Sequence, residues 1–184
     1  MQPAASPSTA AAQHAAFREL HGPTLHGFAL LLTLGDRARA ARLSADALAD
    51  ASERLGELRH PERAAAWLRS RVVRYVTRYR GGPDPRRLDR TAILERMDVD
   101  DAIIAGLAAL SLRKRAALVA ANIERLGLPD VAVIVGRSDR QLSDLLARAR
   151  TAYFRAYAAA AGDAQPIAGP TVDQVRAIAA RAMT

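Results

Sequence analysis

The chain has 184 residues, half of them hydrophobic but only 4% aromatic, and it contains no cysteine. Disulfides and thiolate metal sites are therefore excluded, and because alanine supplies much of the apolar fraction, any core should be thin and helical. The formal net charge is +8 and the basic residues are arginine apart from Lys114, a composition that either a polyanionic partner or a GC-rich genome would give.

Residues 1–13, MQPAASPSTAAAQ, read as a disordered leader, without the basic start and long apolar core of a secretory signal. The apolar run from Phe28 to Leu34 is far too short to cross a bilayer. The expectation is a soluble, cytoplasmic protein with no membrane partner.

Residues 14–80 follow a helical pattern. Phe17, Leu20, Leu25, Phe28, Leu31 and Leu32 form one apolar stretch, with Gly22-Pro23 as an early break. Gly35-Asp36 punctuates, and Leu43, Ala47, Leu48 and Ala51 then share one face up to Leu55. Gly56 to Pro61 is a turn, and Pro61 suits the first turn of a helix from Glu62 to Arg80 bearing Trp67, Leu68, Val72, Tyr75, Val76 and Tyr79. These helices could close a small bundle. Residues 81–104 read as a linker, opening with RGGPDPRRLDR at Arg80 to Arg90, where glycine, proline and charge forbid a regular helix.

Residues 105–160 form a second helical block. A helix from Leu107 to Leu126 starts with Arg113, Lys114 and Arg115. After it, DVAVIVGRSDRQLSDLLARAR (residues 130–150) reads as a helix-turn-helix: Val131, Ala132, Ile134 and Val135 make a short apolar helix, and Gly136 suits a turn with φ > 0. Ser138 and Asp139 can cap a second helix, which buries Leu142, Leu145, Leu146 and Ala149. Such a second helix usually enters the major groove of DNA, although a plain helical hairpin carries the same punctuation. Residues 161–184 are a tail in which Thr171 could cap a short helix, Val172 to Met183. The fold class expected is all-α, in two small domains joined by a linker.

At this point the chain resembles a bacterial RNA polymerase sigma factor of the extracytoplasmic-function type, a family with two helical domains, regions 2 and 4, on a flexible linker. Leu110, Arg115, Leu118 and Val119 fit the scaffold helix, typically LPxxxRxxLVL. Asp130, Val131 and Ala132 stand where the family has Glu-Ile-Ala, and Gly136 and Ser138 in its Leu-Gly-x-Ser turn. Leu146, Arg148, Ala149 and Arg150 match the closing Leu-x-Arg-Ala-Arg. In the first block Phe28, Leu32, Gly35, Asp36, Ala40 and Leu43 resemble region 2, and Ala66-Trp67-Leu68 matches the start of its promoter-melting helix.

The resemblance implies core RNA polymerase and promoter DNA as partners and leaves an anti-sigma factor open as a third. It assigns polymerase contacts to Arg42, Leu43 and Asp46. Its DNA contacts fall on Arg71, Arg74, Tyr75 and Arg78 in the first block and on Arg137, Ser138, Arg140, Gln141, Ser143 and Arg148 in the second. Departures fall on these surfaces. The family's Thr-Val-Lys-Ser-Arg-Leu is Gln141 to Leu146 here, with Asp144 in a position that would repel phosphate, and its acidic Glu-Asp-Leu-x-Gln-Glu is Ala41 to Asp46. The alternative is therefore a degenerate sigma-like regulator that acts through protein contacts without reading a promoter.

Arg71, Arg74 and Arg78 recur at three and four, with Tyr75 and Tyr79 alongside. Such a face either tracks a phosphate backbone with aromatics stacked on unpaired bases, or is a solvated basic face over a core of Trp67 and the tyrosines. GxxxxGK[ST], HExxH and GxSxG are absent, and Asp98, Asp100 and Asp101 read as a solvated charge run. His14, His21, His26 and His60 match no carboxylate cluster. No enzyme, metal or cofactor is expected.

Overall fold

A computed structural model describes residues 7–54, 63–78 and 101–162. Among them are seven α-helices and one π-helical turn, and no strand. The turn at Gly56 to Pro61, Tyr79, most of the 81–104 linker and the C-terminal helix expected from Val172 lie outside the described residues, as does His60.

Helix α1 spans Pro7–Leu32 and differs from expectation twice. It begins inside the presumed leader, where Ala10, Ala11 and Ala12, followed by Ala15 and Ala16 just beyond it, supply the strongest helix propensity available. It also runs through Pro23, which sits on the exposed side. An interior proline costs about 3 kcal/mol. Burial of Leu25, Phe28, Leu31 and Leu32 immediately afterwards offsets that cost, since each fully buried side chain of this size contributes roughly 1.5–3 kcal/mol.

The punctuation at Gly35-Asp36 occurs as read. Leu34 (φ 55°) and Gly35 (φ 86°) end α1 in left-handed conformations, and Asp36 caps α2 (Arg37–Glu53) by accepting the Arg39 N–H at 2.9 Å. Helix α2 buries Ala40, Leu43, Ser44, Ala47 and Ala51 against α1. Helix α3 (Ala64–Arg78) packs on both and completes the first block.

The second block starts earlier than the sequence suggested. Asp101–Ala108 form a helix, α4, whose residues from Ala102 to Leu107 are all buried. The presumed linker therefore loses Ala102, Ile103 and Ile104 to the core, while Asp101 stays exposed in the first turn of α4. Helix α4 lies along α7 (Asp139–Ala161), and Gly106 permits the approach: a Cβ there would meet the Tyr153 ring at 2.6 Å. Between them run α5 (Leu112–Leu118), a π-helical turn (Val119–Ile123) and α6 (Leu128–Val135). The single helix expected from Leu107 to Leu126 is thus broken near Leu110. Arg115 holds the break together: Nε and Nη2 donate to the Leu107 and Leu110 carbonyls at 2.9 and 3.0 Å.

The described parts of the two blocks share one hydrophobic core. Its seam is α3 on α6, with α1 touching α5 and the π turn. The seam also carries charge. Arg69 and Glu124, 55 positions apart, form a two-pronged pair with both N–O distances 2.6 Å. Arg69 further donates to the Ala65 carbonyl and lies over the Phe28 ring. A π turn slips the helical register by one residue, and here it precedes Glu124 directly, re-aiming that side chain toward α3. Burial pushes the Glu124 carboxyl above its ordinary range, against the opposing influence of Arg69. Burial and then Arg69 push His21 down.

No described helix is long and apolar enough to cross a membrane.

Candidate nucleic-acid interface

The hairpin of α6 and α7 has the local geometry that its sequence demands. Pro129 lies in the first turn of α6, where its missing N–H costs nothing. Gly136 closes α6 in the left-handed region (φ 63°, ψ 53°), and Arg137 donates its N–H to the Ala132 carbonyl at 3.0 Å. Ser138 is extended at the N-cap of α7, and its N–H donates to Gln141 Oε1 at 3.3 Å, half of a capping box.

Helix α7 buries Leu142, Leu146, Ala149, Tyr153 and Tyr157, which fixes the opposite face outward. Arg137, Ser138, Arg140, Gln141 and Ser143 are all exposed, around the turn and the first two turns of α7. Asp144 is exposed among them. Arg148 folds back onto it, with Nε donating to the Asp144 carbonyl at 3.2 Å and Nη2 lying 3.7 Å from its carboxylate. A pair this exposed holds its partners weakly.

The four candidates on α3 divide into two kinds. Arg74 and Arg78 are exposed. Arg71 and Tyr75 instead turn toward α2, where Asp50 receives both. Arg71 Nε donates to Asp50 Oδ2 at 2.8 Å, and Arg71 Nη2 and the Tyr75 hydroxyl donate to the same oxygen. The guanidinium also lies 5.4 Å from the ring centres of Trp67 and Tyr75. Hydrogen bonds from Tyr75 and Arg71 outweigh burial and hold the Asp50 carboxyl below its usual range. The Tyr75 ring is buried, so in this conformation it offers no face to a base.

Of the polymerase-contact candidates, Arg42 is exposed, Asp46 half-buried and Leu43 buried at 1% exposure. Leu43 packs inside the first block and offers no surface here. The sequence missed Asp50, Arg69 and Glu124. Asp50 flanks the Ala47–Ala51 stripe, but nothing in the spacing pairs it with Arg71, 21 positions on across two helices. Among the described residues no three His, Asp or Glu side chains gather as a metal site would require.

Comparison of the chain with protein-family models, curated proteins and solved structures gave no match.

Proposed function

We propose that the chain is a sigma-like transcription initiation factor that binds core RNA polymerase and promoter DNA, with the first turns of α7 directed at a groove of the duplex. The observation that carries this reading is the tightly turned α6–α7 hairpin, whose uncovered side presents Arg137, Ser138, Arg140, Gln141 and Ser143 on a chain of net charge +8. In such an arrangement Arg137 and Arg140 meet phosphates, which sets register, while Gln141 and Ser143 have the donors and acceptors to read base edges. Arg74 and Arg78 extend the basic surface onto α3. The chain acts by binding, and no residue is assigned a catalytic role.

Co-purification with core RNA polymerase tests the polymerase half. A complex that survives low salt and gel filtration is expected, and its absence at low salt would contradict the sigma reading. The engagement of Arg71 by Asp50 and of Arg148 by Asp144 favours a second reading, a sigma-like regulator that works through protein contacts alone. Tight binding of promoter fragments with a steep loss as salt rises would eliminate that alternative.

A further inference from the structure

Asp50 occupies the donor fork of Arg71. Its Oδ2 accepts from the Nε of Arg71 at 2.8 Å and also from Nη2, so one carboxylate oxygen fills the fork that a guanidinium offers to a phosphodiester. The pair is not sealed in the core: side-chain exposure is 17% for Arg71 and 27% for Asp50. A polyanion can therefore reach it without unfolding the bundle. Trp67 and Tyr75 hold the guanidinium from the flanks, so it stays on the α3 surface when its acidic partner is exchanged. Asp50 in turn keeps the Tyr75 hydroxyl as a donor. Arg74 and Arg78 lie exposed three and seven positions along the same helix.

We infer that Asp50 is a built-in competitor for duplex DNA phosphate on Arg71, so that DNA binding exchanges one anion for the other and the free protein holds its own strongest phosphate fork shut. The inference rests on the proposed DNA-binding role. It makes Asp50 a residue that lowers affinity and shields Arg71 from non-specific anions.

The test is a DNA titration of the full chain at several salt concentrations, comparing wild type with Asp50→Asn, Arg71→Ala and the double variant. Glu53→Gln serves as control, because it makes the same charge change one turn away on an exposed position of α2. Asp50→Asn is expected to bind roughly threefold to tenfold more tightly, and its salt slope to steepen by about one phosphate contact. The control should change affinity by about twofold or less, and the gain should vanish in the double variant. An equal gain in Glu53→Gln, or a gain that survives Arg71→Ala, overturns the inference. So does unchanged binding by Asp50→Asn.

A readout in the unaltered protein covers the case in which a variant folds poorly. Trp67 is the only tryptophan and lies against Arg71, so saturating DNA should change its emission. Unchanged emission at saturation also overturns the exchange. If wild type binds no DNA even at low salt, the DNA-binding role itself fails and the inference falls with it, a result distinct from tight binding that Asp50 does not influence.

Discussion

The Nη1 of Arg115 donates to the carbonyl oxygen of Leu32 at 2.6 Å, joining residues 83 positions apart. With its bonds to Leu107 and Leu110, the guanidinium of this buried residue (3% exposed) satisfies carbonyls at the end of α1, near the end of α4 and just beyond it. No carboxylate accompanies it in these bonds, and burial pushes its pKa down to about 10, so it still carries its proton at neutral pH. Replacement by methionine keeps the stem and strands three buried carbonyls. Arg115→Met should lower unfolding free energy by about 3 kcal/mol or more, read from urea denaturation, since each unsatisfied buried group costs about 1–3 kcal/mol. Lysine should rescue only part of this loss, because it lacks the planar fork. Full rescue by lysine would show that charge alone matters.

The Arg69–Glu124 pair ties stability across the seam to pH. Glu124 has its folded pKa raised above the ordinary 4.5, so its contribution to stability is fullest below that value and declines as pH rises through the folded pKa. Arg69→Met removes the cation that opposes this rise, leaving a carboxylate buried without its fork. The variant should lose about 3 kcal/mol relative to wild type at pH 7.5, and clearly less at pH 5, where Glu124 can take a proton. Urea midpoints at the two pH values check this. A loss at pH 5 as large as at pH 7.5 would contradict it.

Close packing of α4 on α7 makes Gly106 intolerant of a methyl group. A Cβ there falls 2.6–2.7 Å from two carbons of the Tyr153 ring, and that ring is itself buried. Gly106→Ala should destabilise by roughly 1–3 kcal/mol through overpacking, despite alanine's better helix propensity. Combining it with Tyr153→Leu should recover part of the loss, so the two changes should couple in a double-mutant cycle. Strict additivity would mean that the ring moves aside freely.

A shared core has a consequence for cleavage. With a protease site engineered between residues 81 and 90, cut protein should elute from gel filtration as one particle containing both fragments, because α3 on α6, Arg69 on Glu124 and Arg115 on Leu32 all cross between the blocks. Fragments that separate without denaturant would mean that the seam is weak and the blocks are independent domains.

Helix content and punctuation were legible in the sequence because they depend on neighbours along the chain. Asp36 caps α2 by reaching three residues ahead, and Gly136 ends α6 because a left-handed turn needs no Cβ. The buried stripe of α7 follows from a spacing of three and four. What was missed depends on partners far away in the chain. Pro23 reads as a break until Leu25 and Phe28 are found buried just beyond it, and Ile103 and Ile104 read as linker until α7 covers them. The candidate DNA face divides for the same reason: spacing puts Arg71 with Arg74 and Arg78, but only the packing of α2 on α3 brings Asp50 to Arg71.

The most direct test of DNA binding through α7 is a titration of a promoter-length duplex with wild type, Arg137→Ala/Arg140→Ala and Asp144→Lys, each at two salt concentrations. All three side chains are exposed, so folding stability should change little. Wild-type affinity should fall steeply with salt, and the double alanine variant should lose up to about two units of salt slope. Asp144→Lys should bind more tightly, since it exchanges a repulsion for an attraction and releases Arg148. Salt-independent or absent wild-type binding, or a double alanine variant that binds like wild type, would contradict the placement of α7 on DNA.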